Sequence, residues 1–384
     1  MLIINAQIIT EETVIPHGWL RVRDGMIDAI GEGIYEGSDA IDTIGTIDTI
    51  DATGLTLTAG YLDIHVHGGN GYEAMDASLS ALDELSLFYA RHGVTGFLPT
   101  TWTADGAPIL KALQAIADHQ NQVTGATIWG AHVEGPYINP KKPGAQSPHM
   151  IRPADLDEFA AWQATGVIKL VTIAPEFEQN EALLNYCVGQ GIAVTAGHTD
   201  ATYAEMERAV RLGLGATTHT YNAMRPLHHR EAGTVGAALN MDALRCEVIV
   251  DGVHVEPHAV DILYKAKGAD RLMLITDAVR GAGLAHGTTY LQDGRTVTVQ
   301  EAAYLDDGTL AGSTLTLDRA VQNLARFTGK PITEIWRCAS LTPARWIGVD
   351  HVTGSIKPGK RADLVLLDAD LNVKMTIVKG NLIA

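Results

Sequence analysis

Between about residue 55 and residue 354 the chain alternates short apolar, strand-like runs with amphipathic, helix-like stretches, and no other feature narrows its fold as much. TGFLPTT, ATIWGAHVEG, IKLVTIAPE, IAVTAGHT, GATTHTY, CEVIVDGVH and RLMLITDAV read as strands. ALDELSLFYARHG and YAEMERAVRLG carry apolar residues at helical spacing, and each closes on a glycine suited to a helix C-terminus. Strands separated by helices of ~10–15 residues pair in parallel, because a crossover of that kind returns the chain to the same edge of the sheet. An α/β fold follows, with a (β/α)8 TIM barrel as the expected architecture; periodicity alone leaves an open doubly wound sheet as the alternative. No fixed-period repeat or low-complexity tract interrupts the pattern.

The two ends of the chain have another texture. From Leu2 to about Asp51 it reads as short strands parted by turn residues: LIINAQII, then WLRVRDGMIDAIG with its Asp-Gly turn, then TIDTIDATG. The last segment, TGSIKPGKRADLVLLDADLNVKMTIVKGNLIA, repeats that character, with apolar runs around Leu364 and Val373 and no helical period. The ends are expected to pair, so that residues 1–54 and 355–384 form a small β-sandwich domain and residues 55–354 the barrel. A chain of 384 residues has room for one barrel of ~250 residues and such an addition.

A formal net charge of −17 works against nucleic acid or an anionic membrane surface as partner, since both call for clustered Lys and Arg. An anionic ligand must therefore meet a local basic pocket. Cys187, Cys246 and Cys338 are odd in number and widely spaced, which fits reduced thiols and a cytoplasmic location better than a disulfide framework. The start MLIINAQIITEE has no basic n-region, and no segment reaches the ~20 apolar residues of a membrane span, so neither export nor membrane anchoring is expected.

Where the apolar runs end, metal-ligand residue types begin, and active sites of parallel barrels gather at the C-terminal ends of strands. His65 and His67 in GYLDIHVHGG are two apart on a strand, face one side and can hold one ion together; alone, His-x-His is as well read as a polar strand face. Glu134 follows WGAHV and precedes Gly-Pro, which presents its carboxylate at a strand end, where it can bridge two ions, although a single Glu near a turn is most often a solvated or capping charge. His198 in VTAGHT and His219 in ATTHTY each end a small-residue run; either alone is commonly a satisfied core histidine, and either is a good imidazole ligand. Asp277 closes the almost wholly apolar LMLITDAV, where a carboxylate is desolvated unless paired or metal-bound, and this makes it the expected general base. Together these residues come from five separate strand ends, which outweighs the ordinary structural reading of any one of them.

In chain order, His65-Val66-His67, His132-Val133-Glu134-Gly135-Pro136-Tyr137, Ala196-Gly197-His198, Thr218-His219, Asp251-Gly252-Val253-His254 and Ile275-Thr276-Asp277 resemble the amidohydrolase superfamily. HVEGPYINPKKPGAQ, THTYNAMRPLHHREAG, VIVDGVHV, LITDAV and LAGSTLTLDRAV resemble, more narrowly, the N-acetylglucosamine-6-phosphate deacetylase family, over essentially the whole chain. The resemblance implies a (β/α)8 barrel with a β-sandwich from both termini, a homodimer, and one or two divalent ions per subunit, with zinc, iron, manganese and cobalt all suited to the ligands. It implies that Glu134, His198 and His219 hold the main ion, that His65 and His67 hold a second with Glu134 between the two, and that Asp277 is the catalytic acid and base. Substrate contacts carry over to Ala145, Gln146, Asn222, Ala223, Arg230, His254, Leu310, Ala311 and Gly312, with Arg230 reaching the active site of the neighbouring subunit. His228 and His229 beside it can add donors. Two departures stand out: Gln146 occupies a place where some members carry a histidine that helps polarise the acetyl carbonyl, and Ala232 in HHREAG replaces an expected proline, which loosens the loop presenting Arg230.

The activity so implied is metal-dependent hydrolysis of the acetamide of an N-acetyl-D-glucosamine 6-phosphate in amino-sugar catabolism. The galacto epimer is the nearest alternative. A cyclic-amide hydrolase often bridges its ions with a carboxylated lysine, and no strand-end lysine stands in place of Glu134. From another class, a non-catalytic sugar-phosphate sensor can keep this pocket but has no physical need for a general base at Asp277.

Overall fold

In the computed structural model, which describes residues 1–36 and 48–383, parallel strands succeed one another in chain order: Tyr61–Val66, Val94–Thr101, Thr127–Ile128 continued by Ala131–Glu134, Ile168–Ile173, Ala193–Ala196, Ala216–Thr217, Arg245–Ile249 and Leu272–Ile275. The third strand breaks at Gly130, whose φ of 137° lies outside the strand region. The ring then closes: Val66 bridges Ala278 in parallel, and the Asp277 N–H donates to the His65 carbonyl at 2.9 Å. That closure separates a barrel from the open doubly wound sheet. Strands such as Tyr61–Val66 and Val94–Thr101 are buried at every position, as expected when helices cover one face and barrel-filling side chains the other.

Local signals set the helices. Leu79–Arg91 starts at Ser78, whose side chain accepts from the Ala81 N–H, and stops two residues before Gly93, which takes a φ of 80°. Tyr203–Arg211 opens on a capping box, in which Thr202 accepts from the Glu205 N–H and Glu205 from the Thr202 N–H. Among the described residues, no helix is long and apolar enough to cross a membrane.

The terminal segments form one hydrogen-bonded sheet of eight strands, ordered Asn381–Ile383, Val373–Val378, Leu364–Leu367, Thr56–Ala59, Leu2–Ile9, Val14–Arg23 and Met26–Glu32, with Thr49–Asp51 also on Leu2–Ile9. Asp24 and Gly25, with φ of 51° and 74°, make the expected tight turn. Leu2–Ile9 pairs first with Thr49–Asp51 and then with Thr56–Ala59, and its register against Val14–Arg23 breaks in between. A strand bent in this way lets one sheet supply both layers of a small sandwich. The unit runs past the expected boundary at residue 54, because Thr56–Ala59 pairs in full with Leu364–Leu367. The part of the expected amino-terminal unit between residues 37 and 47 lies outside the described residues.

One element has no counterpart in the sequence reading. After the eighth strand, Thr289–Gln292, Arg295–Val299 and Ala303–Leu305 form a three-stranded antiparallel sheet over a small apolar cluster containing Ala145, Val279, Val297 and Ala311. Its turn, Asp293-Gly294, carries the same signal as Asp24-Gly25. Arg295 Nη2 donates to the Ala145 carbonyl at 2.5 Å, which ties this sheet to the mouth of the barrel.

Candidate active site

The residues expected at the strand ends meet in the barrel mouth. His198, His219 and Asp277 have φ of 47°, 30° and 48°, a left-handed conformation that non-glycine residues seldom adopt and that redirects each side chain at the strand end. Glu134 is the hub. Its Oε1 lies 3.1 Å from His219 Nε2, 3.3 Å from His198 Nε2 and 3.4 Å from His65 Nε2, and its Oε2 lies 3.1 Å from His67 Nε2. Asp277 Oδ1 stands 3.3 Å from His67 Nε2 and 3.6 Å from His65 Nε2.

Burial draws His65 towards neutrality, but Glu134 and Asp277 outweigh it and hold the imidazole well above its ordinary pKa; His67 is raised for the same reasons. Burial also opposes ionisation of Glu134, yet His65, His198 and His219 keep it well below the carboxylate range. Asp277 is held low against its own desolvation by His65 and His67. The centre is therefore one where added positive charge is strongly favoured.

Whether the residues fit a metal ion turns on their lone pairs. His198 Nδ1 lies 2.9 Å from the Lys142 carbonyl, which takes a hydrogen from that nitrogen and leaves the Nε2 of a neutral ring as a lone pair facing Glu134 Oε1 and, at 3.1 Å, His219 Nε2. Acceptors set against acceptors repel unless positive charge lies among them. His65 Nε2 and both ring nitrogens of His67 are buried without a hydrogen bond. Two triads, His65 with His67 and Glu134, and Glu134 with His198 and His219, bring ligand atoms within 4.8 Å of one another. Imidazole and carboxylate sets of this kind fit a divalent ion.

Supporting contacts come from residues that the sequence reading passed over or used differently. Glu247, fully buried, places Oε2 3.2 Å from His65 Nδ1, a carboxylate-to-imidazole contact that fixes which nitrogen faces the centre. Its signal was present, since a carboxylate inside the apolar run CEVIVD is desolvated for the same reason as Asp277. Trp102 stacks on His67 with centroids 3.7 Å apart and planes 11° apart. The Gln146 amide donates to Glu134 Oε2 at 2.7 Å and its carbonyl accepts from the Thr103 N–H at 2.9 Å, so both ends of this side chain are engaged in orienting the hub. His132, part of the motif around Glu134, instead reaches Thr172 Oγ1 at 2.8 Å, and burial with nearby His65 holds it well below its ordinary pKa, as a neutral core histidine.

A cavity opens above the cluster. Of the expected substrate contacts, Ala145, Gln146, Asn222, Ala223, His254, Leu310 and Gly312 line it, as does Asp277. Ala311 is fully buried and outside the lining, and Arg230 is exposed on the loop at 227–231, away from the cavity of its own chain. Trp102, Gly144 and Thr309 complete the wall without having been singled out. Asp251 Oδ2, 2.6 Å from His254 Nδ1, holds the other ring nitrogen of His254 free for a ligand.

A model of the amidohydrolase family matches residues 56–383. N-acetylglucosamine-6-phosphate deacetylase of Bacillus subtilis (strain 168) is 39% identical to this chain, with 100% of the chain and 96% of that protein covered. N-acetylgalactosamine-6-phosphate deacetylase of Escherichia coli O157:H7 is 38% identical, with 98% and 97% covered. Among solved structures, an Asp-to-Ala variant of N-acetyl-D-glucosamine-6-phosphate deacetylase from Mycobacterium smegmatis, in complex with N-acetyl-D-glucosamine-6-phosphate, aligns with a TM-score of 0.92 at 29% identity over 100% of this chain and 99% of that one. A family model spanning the barrel and relatives matched over nearly their full length lead to one conclusion: the chain belongs to the amidohydrolase family.

Proposed function

We propose that the chain hydrolyses the acetamide of N-acetyl-D-glucosamine 6-phosphate, releasing acetate and D-glucosamine 6-phosphate. The observation that carries this reading is Asp277: it lines the cavity beside two ligand triads, and His65 and His67 favour its ionised form. A carboxylate so placed is a proton acceptor within reach of anything bound over the cluster.

An acetamide is a poor electrophile and water a poor nucleophile. A divalent ion, when bound, lowers the pKa of water towards ~7 and polarises a carbonyl oxygen. Glu134, His198 and His219 would hold the main ion, and His65 and His67 a second one with Glu134 between the two; zinc, iron, manganese and cobalt suit these ligands alike. Asp277 takes the proton of the attacking water and hands it to the departing sugar amine, so one carboxylate serves both halves of the reaction. Gln146 and Trp102 keep Glu134 and His67 in place meanwhile.

The sugar is held by Ala145, Asn222, Ala223 and the Leu310-Ala311-Gly312 loop, and its phosphate by His254 together with Arg230 of a second subunit in a homodimer. The planar donor fork of arginine matches phosphate oxygens. The exposure of Arg230, outside the cavity of its own chain, supports this sharing. All these residues lie within 55–354, which, apart from Thr56–Ala59 in the terminal sheet, we assign as the hydrolase domain, and the buried free thiols of Cys187, Cys246 and Cys338 support a reducing, cytoplasmic setting. A second reading, the galacto epimer of the substrate, is favoured by the 38% identical Escherichia coli relative.

The test is amine release from N-acetylglucosamine 6-phosphate by purified protein, before and after chelation, with metal counted on the same sample. Release that chelation abolishes and metal restores is the expected result. Fully metallated protein that releases amine only from the galactosamine epimer would transfer the proposal to that substrate, and release from neither would overturn it.

A further inference from the structure

Arg245 opens the seventh barrel strand at the end opposite the histidine and carboxylate cluster, and among the described residues no acceptor meets its guanidinium. Its guanidinium makes no hydrogen bond and no ion pair among the described residues; Nε is sealed from solvent with no acceptor, and the guanidinium carbon lies 5.4 Å from the centre of the Trp346 ring. Partly buried arginine is normally satisfied by carboxylates or carbonyls. Nearby Lys267, buried to 4% exposure, donates to the Met241 carbonyl at 2.8 Å and makes no ion pair among the described residues.

These two cations line one cavity with Arg271, Arg345, Asp242 and Asp270. Arg271 is answered by Asp242 at 3.1 Å and Arg345 by Glu11 at 2.8 Å, so the rim is neutralised while Arg245 and Lys267 are not. Asp242 and Asp270 turn towards solvent, with side-chain exposures of 82% and 69%. In a chain of net charge −17 such a convergence is no general property of the surface. Burial, with Arg271 and Arg345 close by, pulls Arg245 below its ordinary pKa, and burial does the same to Lys267. An anion between them would relieve both.

We infer that this cavity binds a small phosphate-bearing ligand, either inorganic phosphate or a phosphate monoester, through Arg245 and Lys267 with Arg271 and Arg345 at its rim. Two unanswered cations call for a ligand with more than one negative charge, and a guanidinium fork beside an ammonium suits a tetrahedral oxyanion better than a flat carboxylate. The site lies at the N-terminal end of the strands, away from the chemistry, so its occupant is a stabilising or regulating ligand and not the substrate.

Calorimetric titration of the metal-loaded protein with inorganic phosphate and with glucose 6-phosphate tests this. A His254→Asn background reduces phosphate capture in the catalytic cavity. Saturable binding is expected to persist there and to weaken about tenfold or more in Arg245→Leu and in Lys267→Met, the loss of one charge-assisted donor. Tighter binding of one probe tells which source of phosphate the cavity prefers. Arg345→Ala, at the exposed rim, repeats the measurement should Arg245→Leu disturb the circular dichroism spectrum. Absence of saturable binding in the His254→Asn background, or binding indifferent to Arg245, Lys267 and Arg345, would overturn the inference.

Discussion

At the C-terminal end of the barrel, four imidazoles each stand 3.1–3.4 Å from the Glu134 carboxylate, with Asp277 beside two of them, while at the N-terminal end Arg245 and Lys267 make no ion pair among the described residues. The first arrangement invites further positive charge and the second invites negative charge. Both rest on the same parallel strands, and the contrast follows from their shared direction. Every strand delivers its end to one mouth and its beginning to the other, with buried side chains that include the hydrogen-bonded Thr172, Thr195 and Thr218 packed in between, so two chemistries can be kept apart in one small body.

Substitutions can break or sharpen this contrast. The largest effect is expected of Asp277→Asn, which should lower kcat by ~10²–10⁴-fold, the worth of a general acid–base group, while metal content and fold persist. Turnover near the original rate would remove Asp277 from that role. Arg230→Ala should raise KM for the phosphorylated substrate by roughly ten- to a hundredfold, in line with losing a charged hydrogen bond, and leave free N-acetylglucosamine nearly unaffected. Equal changes on both substrates would deny Arg230 the phosphate. Glu247→Gln should weaken metal retention by about ten- to a hundredfold, measured by competition with a chelator, because His65 then loses the carboxylate that orients it; an unchanged metal affinity would make that contact purely structural. The smallest effect on turnover is expected at the opposite mouth, where Arg245→Leu should leave saturated kcat as it was and change only anion binding. A fall in kcat there, with fold and metal intact, would show that the two ends are coupled.

Much of the site could be read before any coordinates, because the ligand types stand where apolar runs stop. His65, His67, Glu134, His198, His219 and Asp277 were named from that rule, and all gather around one hub. The supporting contacts were less legible. Glu247 and His65 are 182 positions apart in sequence, Trp102 meets His67 through a stack that no spacing encodes, and Gln146, expected as a substrate contact and lining the cavity, also engages both ends of its amide on Glu134 and Thr103. The hairpin joining Thr289–Gln292 to Arg295–Val299 turns at Asp293-Gly294, the same local signal as Asp24-Gly25.

By itself the sequence determined what is local: the strand and helix periods, the capping box at Thr202, the Asp-Gly turns and the chemical types offered at each strand end. Closure of the ring between Val66 and Ala278, the choice of Glu134 as hub, and the isolation of Arg245 from every carboxylate among the described residues were decided only in the tertiary structure. The reason is one of range. Periodicity and capping depend on neighbours within a turn or a pleat, whereas a lone pair finds its partner, or fails to, only after distant segments have closed their loops and shed their water.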